Sequence, residues 1–173
     1  MLRFLSVLLL VFAAGMAVAG MPAQRFASID GGTIDLGDWA GRPVLVVNTA
    51  SRCGYTYQYQ GLQDLYDRYR DRGLVVLAVP SDDFRQELGS AREVKDFCEL
   101  TFGIDLPMTD ITHVRGAKAH PFYRQLREEV GFVPSWNFNK ILIAPDGRVV
   151  RTWGSGTKPM SREIVGAVEA LLD

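Results

Sequence analysis

Cys53 and Cys98 are the only thiols in the 173 residues, and their settings differ. Cys53 follows Val44-Leu45-Val46-Val47, a β-branched and leucine run that fits a strand buried on both faces. Small and polar residues, Asn48 to Ser51, break the strand. Arg52-Cys53-Gly54 follows, and a helical segment runs from Gln58 to Tyr69. Cys53 therefore belongs at the carboxyl end of a core strand, near the start of a helix. Open α/β sheets collect their chemistry at that edge. A helix amino terminus carries about half a positive charge, and Arg52 is next to Cys53 in sequence. Both favour the thiolate, which is the nucleophilic form. The bland alternative is a small buried hydrophobe, the common fate of a lone cysteine.

A thiolate that attacks a peroxide needs donors around its charge and a donor for the departing oxygen. Gln86, Trp136 and Asn137 offer two carboxamides and an indole N–H, which donate without adding a competing charge. All three fall in loops expected at the sheet edge that carries Cys53. Taken singly, a Trp reads as core and a loop Gln as surface; the grouping is what singles them out. No metal constellation competes, because His113 and His120 lack ligand spacing to each other or to the cysteines. No bound cofactor is expected. There is no C-x-x-C pair either, since Thr56 stands three residues after Cys53.

The elements that must position these residues are legible from pattern. Phe26–Ile29 and Thr33–Leu36 flank Asp30-Gly31-Gly32 and predict an amino-terminal β-hairpin. In the helix after Cys53, Leu62, Leu65, Tyr66 and Tyr69 recur at helical spacing, and Gly73 ends it. Leu74–Val79 is a second continuous apolar strand, so strand, helix and strand make a right-handed parallel unit. Pro80 stops it, and a polar loop with Gln86 returns to the same edge. In that loop Asp82 and Asp83 read as solvated charges. Ser90 and Glu93 form a capping box for a helix from Ala91 to about Phe102, with Val94, Phe97, Cys98 and Thr101 inward. A short helix covers Phe122–Val130. Strands are expected at Lys140–Ala144 and Arg148–Trp153 around Pro145-Asp146-Gly147, then a helix Arg162–Leu172 capped by Ser161. The order is hairpin, β, α, β, α, α, β-hairpin, α. That is an α/β, thioredoxin-like layout, with a mixed central sheet and helices on both faces.

Residues 1–19 read as a signal peptide. Met1–Arg3 is a charged start, Phe4–Phe12 an apolar run too short for a membrane span, and Ala17-Val18-Ala19 a cleavage site. The remaining residues, 20–173, make one domain. Export to the periplasm, or secretion, is the expected destination. A formal net charge of −1 gives no sign of a nucleic-acid partner. Two cysteines in an exported chain also fit a structural disulfide.

The segment Asn48-Thr49-Ala50-Ser51-Arg52-Cys53-Gly54-Tyr55-Thr56 resembles the active-site block of the glutathione peroxidase family. Gln58-Tyr59-Gln60-Gly61-Leu62 continues the match. Ala119–Tyr123, Trp136-Asn137-Phe138-Asn139-Lys140 and Thr157-Lys158-Pro159 resemble further family blocks. The resemblance implies a thioredoxin-like fold and a thiol-dependent peroxidase. Cys53 is then the peroxidatic residue, with Trp136, Asn137 and Gln86 as its partners. The substrates are hydrogen peroxide or organic hydroperoxides, and the electron donor is glutathione or a thioredoxin-type protein. Three departures stand out. The Gln86 loop is one residue shorter than the family pattern, with Asp82 and Asp83 replacing neutral side chains. Cys98 is one position early for the resolving cysteine of thioredoxin-dependent members, which leaves resolution, packing and a static bridge open. The loop before Trp136 is short, as in monomeric members. Two other readings compete with the peroxidase: a thiol redox sensor or disulfide carrier, and a disulfide-bonded domain without catalysis.

Overall fold

The computed structural model describes residues 24–172, so the signal peptide expected at residues 1–19 lies outside the described residues. A two-stranded hairpin, β1 (Arg25–Ala27) and β2 (Thr33–Asp35), precedes a four-stranded sheet. The hairpin turns through Gly31 and Gly32, both at positive φ, and Ser28 bridges to Thr109. The sheet order is β4-β3-β5-β6, with β3 at Val44–Thr49, β4 at Val75–Pro80, β5 at Lys140–Ile143 and β6 at Val149–Trp153. β3 and β4 are parallel, while β3–β5 and β5–β6 are antiparallel. The central sheet is therefore mixed, as the element order predicts. A register shift between Leu142 and Ile143 leaves Arg148 outside β6.

Both faces of β3 and β4 are buried, which explains their unbroken apolar runs. On one face Leu45, Val47, Val76, Ala78 and Leu142 pack with α1 (Gln58–Tyr69), α2 (Ala91–Phe102) and α4 (Arg162–Glu169). On the other, Val46, Leu77 and Ile141 pack with Phe26 of the hairpin and with Phe122, Tyr123 and Leu126 of α3 (Pro121–Val130). The Ser90 cap on α2 forms as expected: Ser90 Oγ accepts the Glu93 N–H and donates to the Glu93 carboxylate. Two details differ. In α2, Val94 and Cys98 are buried, Phe97 is half-buried and Thr101 is exposed, so the buried stripe is narrower. The last helix is capped by Ser161 but ends at Glu169, after which Leu171 and Leu172 close tight turns instead.

Candidate active site

β3 delivers Cys53 to the sheet edge through a run of tight turns. Thr56 N–H donates to the Cys53 carbonyl (3.1 Å), and Gln58 N–H to that of Tyr55 (2.9 Å). Regular helix begins only at Gln58, so the thiol stands ahead of α1 rather than in its first turn. Cys53 is 5% exposed, and its sulfur accepts the Tyr55 N–H at 3.5 Å. That amide replaces the expected direct role of the helix terminus. The Arg52 side chain is exposed, while its backbone N–H donates to the Gln86 carbonyl at 2.8 Å.

The shortened loop after β4 reaches the site. It folds into a tight turn, closed by Arg85 N–H on the Asp82 carbonyl (2.8 Å), with Arg85 in left-handed backbone at φ 58°. Gln86 thereby meets Arg52 through its carbonyl and Asn137 through its side chain, whose Oε1 accepts Asn137 Nδ2 at 3.0 Å. Asn137 is fully buried. Trp136 is 40% exposed and packs on Phe84 with ring centroids 5.2 Å apart. Cys53, Gln86 and Asn137 are thus linked through the Arg52 backbone and one side-chain bond. Trp136 joins them by its neighbour Asn137 and by Phe84. The hydrogen-bond partner of the sulfur among the described residues is none of the three; it is the Tyr55 backbone amide.

Asp83 departs from the expected solvated charge. Its carboxylate accepts the Val114 and Arg115 N–H groups (2.6 and 3.0 Å) and lies 2.7 Å from His113 Nδ1. Three close partners in the 113–115 segment hold it. Asp82 is exposed, and its carboxylate accepts the Glu87 N–H.

Two buried charges escaped the sequence reading. The Glu87 carboxylate accepts the Ser51 and Leu88 N–H groups (2.9 and 2.8 Å), and burial raises its pKa. Lys140 opens β5 fully buried, and desolvation pulls its pKa down to about 7. Its ammonium donates to Gln58 Oε1 (2.5 Å), the Thr157 carbonyl (2.7 Å) and the Ser155 carbonyl (3.4 Å). The only local hint is a charged residue directly before an apolar strand. Cys98 is a fully buried free thiol on α2, and burial pushes its pKa up to about 11. Its neighbour is the buried Tyr59 hydroxyl.

A parallel β–α–β half, an antiparallel β–β–α half and a sheltered cysteine at the sheet edge define a redox protein of thioredoxin-like fold. A family model, glutathione peroxidase, matches residues 18–127. A hydroperoxy fatty acid reductase from Synechocystis is 41% identical over 156 residues, covering 84% of this chain and 91% of its own. A glutathione peroxidase from Lactococcus lactis is 39% identical over 140 residues, covering 78% and 89%. Among solved structures, Trgpx in its apo form matches with a TM-score of 0.67 at 31% identity, covering 86% of this chain and 92% of its own. A thiol:disulfide interchange protein from Chlorobium tepidum, at 16% identity and a TM-score of 0.66 over 88% and 96%, shares the fold alone. The chain belongs to the glutathione peroxidase family and is a thiol-dependent peroxidase.

Proposed function

We propose that Cys53 attacks the peroxide. Its thiolate attacks the terminal peroxide oxygen, and the S–O bond forms as the O–O bond breaks. The hydroxyl stays on sulfur as sulfenic acid. The leaving oxygen takes up the proton the thiol gave up, leaving as water from hydrogen peroxide or as an alcohol from an organic hydroperoxide. The Asn137 carboxamide, the Trp136 indole N–H and the Gln86 carboxamide are the donors for the charge at sulfur and on the leaving oxygen. The observation that carries this reading is the Gln86 bridge: its side chain takes Asn137 Nδ2 while its carbonyl takes the N–H of Arg52, next to Cys53. Glutathione or a thioredoxin-like protein then returns the sulfenic acid to thiol, through a mixed disulfide. A supplied thiol fits better than Cys98, whose burial and raised pKa make it a poor attacker in the resting fold. The mature protein is a monomer of residues 20–173, acting in the periplasm or after secretion and using no bound cofactor.

Stopped-flow peroxide reduction and intact mass test this together. Cys53→Ser abolishes turnover, and Asn137→Ala and Trp136→Phe slow the first step by about 10²–10³ with the fold intact. Gln86→Ala slows it less, because the Gln86 carbonyl contact to Arg52 survives. One equivalent of peroxide adds one oxygen to the reduced wild type and to Cys98→Ser alike. A loss of two hydrogens, absent in Cys98→Ser, would instead make Cys98 the resolving thiol. Turnover by Cys53→Ser would sink the assignment. The mass of protein from its native compartment reports cleavage after Ala19, and sedimentation reports the oligomeric state.

A further inference from the structure

The loop after β6 has no part in the chemistry described so far, yet Ser155 in it joins both paths that lead to Cys53. Its hydroxyl donates to the Asn137 carbonyl at 2.6 Å and accepts Asn139 Nδ2 at 2.9 Å. Its carbonyl accepts Gln58 Nε2 at 2.7 Å and Lys140 Nζ at 3.4 Å. One path runs from the hydroxyl through Asn137 to Gln86 and on to the Arg52 amide. The other runs from the carbonyl to Gln58, whose N–H holds the Tyr55 carbonyl, and Tyr55 N–H donates to Cys53 Sγ.

The turn that Ser155 grips is strained. Phe138, between Asn137 and Asn139, has φ 61°, in the left-handed region that a bulky residue avoids. Such a backbone persists only where its surroundings over-determine it. Asn48 on β3 supplies part of the restraint. Its Nδ2 donates to the Trp136 carbonyl, its Oδ1 accepts the Asn139 N–H, and its carbonyl accepts the Phe138 N–H. Ser135 holds Asn139 Oδ1 by its N–H and hydroxyl, and Ser155 adds the donor to the Asn137 carbonyl and the acceptor for Asn139 Nδ2. Removing its hydroxyl leaves the Asn137 carbonyl without that donor and lets the strained turn relax, carrying the Asn137 carboxamide with it.

We propose that Ser155 is a positioning residue for the peroxidase reaction, holding the Trp136–Asn137 donor turn and the start of α1 in one frame. It touches no reacting atom. The inference rests on Cys53 as the attacking thiol and on Asn137 as its donor.

The test measures the second-order rate of Cys53 oxidation by hydrogen peroxide in Ser155→Ala, Ser155→Thr and Ser161→Ala. The last removes the α4 cap, which shares none of these bonds, and serves as a control for lost stability. Small misplacements of a reacting geometry cost up to about 10²-fold. Ser155→Ala is expected to react about tenfold more slowly. Ser155→Thr keeps the hydroxyl and is expected to stay within about threefold of wild type. Ser161→Ala is expected to melt earlier and react at the wild-type rate. A wild-type rate for Ser155→Ala, or slowing by Ser161→Ala equal to that of Ser155→Ala, overturns the positioning role. A Cys53→Ser protein that still consumes peroxide overturns the reading beneath it, whatever Ser155→Ala does.

Discussion

Gln58 and Tyr59 are adjacent at the start of α1, yet their side chains belong to opposite kinds of environment. Gln58 enters a cluster with Lys140 and Ser155 in which its carboxamide nitrogen and oxygen are both paired. Tyr59 enters a cluster with Thr49, Ser51, Glu87 and Cys98, where Thr49 Oγ1, Ser51 Oγ, the Tyr59 hydroxyl and Glu87 Oε2 are buried without a hydrogen-bond partner among the described residues. The paired cluster lies toward β5 and β6. The unpaired one lies toward α2 and the Gln86 loop. A paired network loses twice when one member is removed, because the partner is stranded as well. A buried group that has no partner strands nothing when it goes. The Cys53 segment thus borders a fully paired cluster on one side and, on the other, a cluster that pairs its Ser51 and Arg52 amides but leaves several side-chain oxygens unpaired.

The sharpest way to break the contrast is Lys140→Met. It strands Gln58 Oε1 and the Thr157 carbonyl, each at about 1–3 kcal/mol. Burial of the ammonium works the other way, and its sign follows from its pKa of about 7 against an ordinary 10.5. Below about 7 both folded and unfolded chains hold the proton and the burial penalty is complete. From about 7 to 10.5 the folded chain sheds it first, so wild-type stability rises by at most about 1.4 kcal/mol per pH unit. Urea unfolding at pH 6 and pH 9 is therefore expected to show a larger deficit for Lys140→Met at pH 9. An equal deficit at both would mean that Lys140 keeps its charge throughout.

Glu87 straddles the two kinds, with one oxygen paired and one not. Glu87→Ala strands the Ser51 and Leu88 amides and is expected to cost about 1–3 kcal/mol. Glu87→Gln keeps the acceptor without the buried charge. Because the folded pKa is raised, wild-type stability is complete below the ordinary value of 4.5 and falls as pH climbs through the raised one. Thermal melts across that range are expected to slope downward for wild type and stay flat for Glu87→Gln. Parallel slopes would place the titration elsewhere. Tyr59→Phe is the smallest change. Deleting an unpaired hydroxyl is expected to shift stability by less than about 1 kcal/mol in urea unfolding. A loss of several kcal/mol would show that the hydroxyl has a partner after all.

Much of the scaffold could be read from local pattern, for local reasons. The α2 start follows from Ser90 and Glu93, three residues apart, and the hairpin from two glycines that accept positive φ. The β3 and β4 runs advertised burial on both faces, and Cys53 drew attention by standing just past one of them. What stayed hidden depends on partners distant in sequence. Lys140 and Gln58 are 82 positions apart, and Gln58 and Ser155 are 97. A lysine before a strand reads as surface until those acceptors are known. Asp83 read as a solvated charge because nothing local marks the 113–115 amides as its partners. Gln86 could be named from its motif, but its contacts required the tight turn at Arg85.

That Asp83 clamp has a spectroscopic consequence. The Val114 and Arg115 amide protons are tied to a carboxylate that rides on the loop carrying Gln86. Their chemical shifts and solvent exchange therefore register the state of that loop from outside the reaction centre. An observer can follow the site through two backbone signals without labelling or altering any group that meets the peroxide.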